Sequence, residues 1–201
     1  MYNTPMNTKN FKNAIALTGG IATGKSTVCN LLKLHGLLTI DADKIAHKLL
    51  DQHSGHIAQM FGEQYVKDGK VIRKELGKII FSNEKEKKRL EAFIHPLIKE
   101  DIIEEAAIFE KANVSYLIDI PLFFETMNYD IDKSLVVYTP SDIQCQRLMK
   151  RDNIDEKEAR QKMSNQMDIE KKKELADYCI DNSTNLKNLQ VEVERIIGEI
   201  S

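Results

Sequence analysis

Short apolar runs alternate with stretches of helical period along this chain. Residues 14–18, Ala-Ile-Ala-Leu-Thr, form a compact apolar run that predicts a buried strand. Residues 27–35 place Val28, Leu31, Leu32 and His35 on one helical face, and Gly36 is positioned to stop the helix. Further strands are predicted at 37–41, 114–121, 134–139 and 177–182, the fourth of these five closed by Pro140. Ile45, Ala46, Leu49 and Leu50 share a helical face in 42–50, and Leu186, Leu189, Val193, Ile196, Ile197 and Ile200 do so near the C-terminus.

The stretch 51–113 differs. It is charged and helical in period, with turn signals at Asp68-Gly69 and Ser82-Asn83. Ile72, Leu76, Ile79 and Ile80 mark one helix; 84–94 and 97–111 read as two more, broken or kinked at Pro96. After Pro140, Ser141-Asp142-Ile143-Gln144 has the form of a capping box, and Asp155 to Glu158 opens another helix with acids in its first turn. The order predicts an α/β fold: a five-stranded, mainly parallel sheet flanked by helices. The expected divisions are a core of 14–50, 114–140 and 177–201, a helical insertion at 51–113, a helical lid at 141–176 and a loose extension at 1–13.

Between the first strand and the first helix stands Gly19-Gly20-Ile21-Ala22-Thr23-Gly24-Lys25-Ser26-Thr27, which fits G-x-x-x-x-G-K-[ST], the phosphate-binding P-loop. Its glycines allow backbone amides to converge on an anion, Lys25 is spaced to reach β- and γ-phosphates, and the Ser26 hydroxyl to hold Mg²⁺. Strand, loop and helix N-terminus in this order are what phosphate binding requires, so the fold is read as that of the P-loop NTPases.

Composition adds exclusions. The 201 residues carry a net charge of −2, so no global basic field draws the chain to nucleic acid or a membrane. The three cysteines, Cys29, Cys145 and Cys179, are far apart without a C-x-x-C pair, which points to buried packing in a reducing, cytoplasmic compartment. No apolar run reaches membrane-span length. The expected partner is a small-molecule substrate, with the chain a monomer or weak homo-oligomer.

Other side chains carry candidate chemistry. Asp43 follows the second strand, either as a helix cap or first-turn acid or as the carboxylate that orients an acceptor hydroxyl. Asp119 ends the third strand, as does the acid that steadies Mg²⁺ in P-loop enzymes. Arg147 and Arg151 are one helical turn apart, either surface residues or guanidiniums aimed at a transferring phosphate. His95, beside Pro96, reads as a structural residue at a helix junction unless further context assigns it.

Taken together, LTGGIATGKST, IDADKIAHKL, HPLI, DIPLFFE, QRLMKRDN, EARQKMSNQM and ADYCIDNSTNL resemble the dephospho-coenzyme A kinase family over roughly 14–197. The resemblance implies transfer of the ATP γ-phosphate to the ribose 3′-hydroxyl of dephospho-CoA, the last step of CoA synthesis. It implies that Ala22, Thr23, Gly24, Lys25, Ser26 and Thr27 cradle the ATP phosphates, Asp43 handles the acceptor hydroxyl, Arg147 and Arg151 neutralise phosphate charge, and Asn182 lies near the adenine. It also places His95 in a helical acceptor-binding part, 51–113. The family loop usually reads GGIGSGKS; here Ala22 and Thr23 replace Gly and Ser. If position 22 needs positive φ, alanine there costs about 1 kcal/mol. Other readings are a different small-acceptor kinase of nucleotide or shikimate type, a GTPase, for which no N-K-x-D stretch is found, and an ATP-binding scaffold.

Overall fold

The computed structural model describes residues 11–126 and 129–200. In chain order the elements are β1 (Ala14–Gly19), α1 (Lys25–Leu34), β2 (Leu38–Asp41), α2 (Ala42–Gln52), α3 (Ser54–Phe61), β3 (Val66–Lys67), β4 (Lys70–Val71), α4 (Arg73–Ser82), α5 (Glu84–Ala112), β5 (Tyr116–Asp119), α6 (Phe123–Thr126), β6 (Lys133–Tyr138), α7 (Ser141–Asp152), α8 (Glu156–Met163), α9 (Ile169–Leu175), β7 (Tyr178–Asp181) and α10 (Leu186–Ile200).

The apolar runs do form a five-stranded sheet, in the order β2-β5-β1-β6-β7. β1 pairs in parallel with β5 and with β6, and β6 with β7. Continuous apolar strands suit a sheet covered on both faces: every residue of β1 and β5 is buried. Leu17, Leu117, Leu135, Val137 and Ile180 of the sheet pack with Val28 and Leu32 of α1 and with Leu189, Val193 and Ile196 of α10. Each such fully buried aliphatic side chain contributes roughly 1.5–3 kcal/mol. His35 is exposed and ends α1 as its C-cap instead of joining the apolar face.

The chain divides into two compact units. One comprises residues 1–40 and 106–201, the other 41–105. The second has its own core, in which Ile57, Val71 and Leu76 pack with Phe61, Tyr65 and Phe93, and β3 pairs antiparallel with β4. Asp51 joins its pieces by accepting from Val71 N–H and from Arg73. Partial burial of Asp51 works against ionisation, but those bonds outweigh it and lower its pKa.

Three local expectations give way. Helix α5 runs through Pro96 as one helix, without the break that is one of the two expectations there. Proline costs a helix interior about 3 kcal/mol, but Ile94, Ile98 and Ile102, all buried and four residues apart, need one continuous helix to share a face. No capping box forms at α7: Pro140 is the N-cap, Ser141 already lies inside the helix, and the Gln144 carboxamide instead donates to Thr139 O at 2.6 Å. Nor is the end of the 1–13 extension loose. Phe11 is buried, and Asn13 donates to both oxygens of Glu110, which also accepts from the Tyr116 hydroxyl. Residues 1–10 lie outside the described residues.

Candidate active site

In parallel sheets ligands gather at the carboxyl ends of the strands, and there β1, β5, β6 and β7 deliver Gly19, Asp119, Thr139 and Asn182. The P-loop is shaped by contacts from these ends. Thr23 is fully buried; its hydroxyl donates to Gly20 O at 2.9 Å, and its carbonyl accepts from Asn182 Nδ2 at 2.7 Å and Thr139 Oγ1 at 3.1 Å. A Cβ on Gly20 would sit 2.6 Å from Gln144 Oε1, so a larger residue there would have to displace that carboxamide. Gly24 is left-handed at φ 86°, and a Cβ there would strike the Asn182 carboxamide. Ala22 also adopts positive φ, 61°, and bears the roughly 1 kcal/mol cost that glycine would avoid.

The loop leaves a concave set of amide donors. Thr23 N–H bonds Gly20 O, Thr27 N–H bonds Gly24 O, and Ile21 N–H bonds Gln166 Oε1. The amides of Ala22, Gly24, Lys25 and Ser26 have no acceptor among the described residues. Such a nest at a helix N-terminus binds anions. Of the residues expected to cradle phosphate, Thr23 and Thr27 spend their amides on the loop itself.

The nest opens into a cleft of about 440 Å³ lined also by Lys25, Pro121, Arg147, Arg151 and Gln166. Lys25 is paired with Asp119, both side chains largely buried, at 17% and 12% exposure. Arg147 is anchored: Nη2 donates to Asn182 O at 2.9 Å and Nη1 to Thr139 Oγ1 at 3.3 Å. Arg151 is exposed and bonds its neighbour Asp152, which raises the guanidinium pKa. Arg151, then Lys162, holds the Asp152 carboxyl down at about 2. The structure thus brings together Lys25, Ser26, Arg147, Arg151 and Asn182 in one unit.

Asp43 and His95 belong to the other unit. The cap of α2 is Asp41, which accepts from Lys44 N–H, so Asp43 is not needed as a cap. Asp43 is an exposed first-turn carboxylate with no hydrogen bond or ion pair among the described residues. His95 is exposed on α5, one residue before Pro96, at no helix junction.

Comparison with known proteins decides among the kinases this geometry allows. A profile of the dephospho-CoA kinase family matches residues 13–188. The chain belongs to the dephospho-CoA kinase family. It is 47% identical over 189 residues to a dephospho-CoA kinase of Helicobacter pylori, covering 92% of this chain and 96% of that one. It is also 47% identical over 190 residues to one of Sulfurimonas denitrificans, covering 94% and 95%. The solved dephospho-CoA kinase from Campylobacter jejuni superimposes with a TM-score of 0.76 at 38% identity, over 94% of this chain and 97% of that chain.

For a member of this family, the residues also suit Mg²⁺. A hard cation that keeps several waters wants one or two oxygen ligands besides substrate phosphates. The exposed Ser26 hydroxyl and the Asp119 carboxylate at the end of β5 supply that chemistry.

Several residues that shape the site gave no usable signal in sequence. Gln144 reads as half of a capping box. Lys172 stands in a Lys-Lys-Lys run that reads as solvated surface, yet it is fully buried, reaching Glu125 Oε1 at 2.8 Å, Gly19 O at 3.1 Å and Pro121 O at 3.2 Å. Its spacing of three from the buried Ile169 was the one available clue. Gln166 sits in a polar turn, inside the EARQKMSNQM segment that carries the resemblance, but nothing in that segment points to the P-loop contact.

Proposed function

We propose that the chain transfers the γ-phosphoryl group of ATP to the ribose 3′-hydroxyl of dephospho-CoA, releasing CoA and ADP in the last step of CoA synthesis. The observation that carries this reading is the set of unfilled amides at the head of α1, with Lys25 beside them. The amides of Ala22, Gly24, Lys25 and Ser26 hold the phosphate chain. Lys25 exchanges its carboxylate partner for β- and γ-oxygens when ATP binds. Arg147 and Arg151 neutralise charge that spreads onto the transferring group, a task suited to planar guanidinium forks. Asp43 orients the acceptor hydroxyl and takes its proton; an uncommitted, exposed carboxylate supports that role. Residues 51–113, with His95, bind the acceptor, 141–176 close as a lid, and Asn182 lies near the adenine. Catalysis comes mainly from positioning and electrostatic stabilisation of an in-line transfer. Mg²⁺, held by Ser26 with Asp119 nearby, would supply charge neutralisation at the β- and γ-phosphates.

The protein acts on small molecules as a monomer or weak homo-oligomer. The free thiols of Cys29, Cys145 and Cys179 fit a reducing cytoplasm. Among the described residues no helix is long and apolar enough to cross a membrane.

The test is incubation with ATP, Mg²⁺ and dephospho-CoA, with CoA detected by mass, beside a panel of shikimate and nucleoside monophosphates. CoA should appear only with all three components present. Faster transfer to another acceptor, or tight ATP binding with no CoA formed, would overturn the assignment.

A further inference from the structure

Gln166 lies in the turn between α8 and α9 and reaches back to the P-loop. Its Oε1 accepts a 2.7 Å bond from Ile21 N–H. A carboxamide accepts only through oxygen, so this bond fixes which way the group faces. Nε2 is left with no acceptor among the described residues, and the side chain lines the cleft that also holds Lys25, Arg147 and Arg151. An uncharged donor without a partner therefore stands among cations in an anion-binding cleft.

The mount beneath it is firm. The next residue, Met167, donates its N–H to Glu125 Oε1 at 2.9 Å, and the same oxygen is gripped by buried Lys172 at 2.8 Å. Lys172 is also bonded to the carbonyls of Gly19 and Pro121. The turn carrying Gln166 is thereby tied to the root of the P-loop and to the segment after β5.

Position along the loop indicates which phosphate this donor meets. The amides of Gly24, Lys25 and Ser26, at the head of α1, cradle the inner phosphates. Ile21 is on the opposite limb, before Ala22, and a phosphate chain seated on the α1 amides would extend its outer end toward that limb. We propose that Gln166 Nε2 donates a hydrogen bond to the terminal phosphoryl group of ATP, with the Ile21 N–H bond to Oε1 holding the donor in place. This rests on the kinase reading above and adds a substrate-contacting residue to it. Gln166 would then distinguish triphosphate from diphosphate, contacting ATP and losing its partner in ADP.

Two variants separate this from a role in loop shape alone. Gln166→Glu keeps an acceptor for Ile21 N–H but replaces the donor with a negative charge. Gln166→Met removes both. Calorimetric titration of each with Mg²⁺ and a non-hydrolysable ATP analogue, then with Mg²⁺ and ADP, reads the contact directly. Both variants should bind the triphosphate analogue about tenfold or more weakly, the size expected for a lost hydrogen bond to a charged group. Gln166→Glu should be the weaker of the two, and ADP affinity should stay within about twofold of the parent. A Gln166→Glu protein that binds the analogue like the parent overturns the proposal, as does equal weakening toward both nucleotides. Should Gln166→Met fail to fold, Gln166→Glu decides alone. A parent protein that makes no CoA would sink the acceptor assignment while leaving this nucleotide comparison intact.

Discussion

Replacing Lys172 with methionine should remove about 3–5 kcal/mol of folding stability, the cost of stripping one partner from a buried ion pair. The Lys172 side chain is 0% exposed, and its ammonium serves Glu125 Oε1 at 2.8 Å and the carbonyls of Gly19 and Pro121 at 3.1 and 3.2 Å. Methionine nearly matches the lysine stem, so the loss is electrostatic and not a cavity. What remains, among the described residues, is a Glu125 carboxylate whose Oε1 keeps only Met167 N–H and whose Oε2 is already buried without a partner. Against a total stability on the order of 5–15 kcal/mol, the melting temperature should fall by about 6–20 °C at roughly 2–4 °C per kcal/mol. Glu125→Leu alone should cost a similar amount by stranding the ammonium. The double variant removes both charges and should recover most of either loss, because a buried pair replaced by apolar groups is often neutral. Urea unfolding of parent, both singles and the double closes the cycle. A Lys172→Met loss under about 1 kcal/mol, or a double variant that loses the sum of the singles, would refute the view that this pair holds the P-loop root.

Three further outcomes follow from the geometry. Ala22→Gly relieves about 1 kcal/mol of left-handed strain but frees the unfolded chain by about 0.4–1 kcal/mol, so its melting point should match or slightly exceed the parent. Ala22→Val, branched at φ 61°, should melt lower; equal losses for both would show the φ argument wrong. Asp43→Asn should lower kcat by about a hundredfold while the KM for ATP stays within about threefold, and a kcat within a few fold of the parent would remove Asp43 from the mechanism. Asp152 is held at about 2, below the ordinary 3.8, by Arg151 and Lys162. A depressed carboxyl stabilises the fold above its unfolded pKa, and that contribution is lost as pH falls from there toward 2. Asp152→Asn should flatten the stability profile in that window, read as urea midpoints across acid pH; a slope unchanged from the parent would discount the pair.

What the sequence made legible was whatever depends on neighbours in the chain. Strands such as Ala14–Gly19 and Tyr116–Asp119 announce themselves because burial on both faces demands unbroken apolar runs. The P-loop does so because glycines, lysine and serine must stand at fixed offsets from one helix start. Local rules failed where a distant contact outbid them. Proline is a breaker, yet the stripe of Ile94, Ile98 and Ile102 carries α5 across Pro96. Ser141 to Gln144 spells a capping box, yet Gln144 is more strongly used at Thr139 O and against Gly20. The sequence left Asp43 as either a helix cap or a catalytic acid; the fold gives the cap to Asp41, leaving Asp43 available for chemistry.

The residues that position the loop share one property that explains why their pairings, including that of the expected Asn182, are not read from sequence. Lys172 meets Gly19 across 153 residues of chain, Gln166 meets Ile21 across 145, and Asn182 meets Thr23 across 159. No periodicity or offset encodes such pairings; each is legible only once parallel strands have brought the segments to the carboxyl end of the sheet. A single polar side chain from each late segment then fixes a different stretch of the loop: its root, its outer limb and its turn into α1. The loop is therefore held from the C-terminal half of the chain, and substitutions at Lys172 and Asn182 should alter nucleotide binding without touching the P-loop sequence itself.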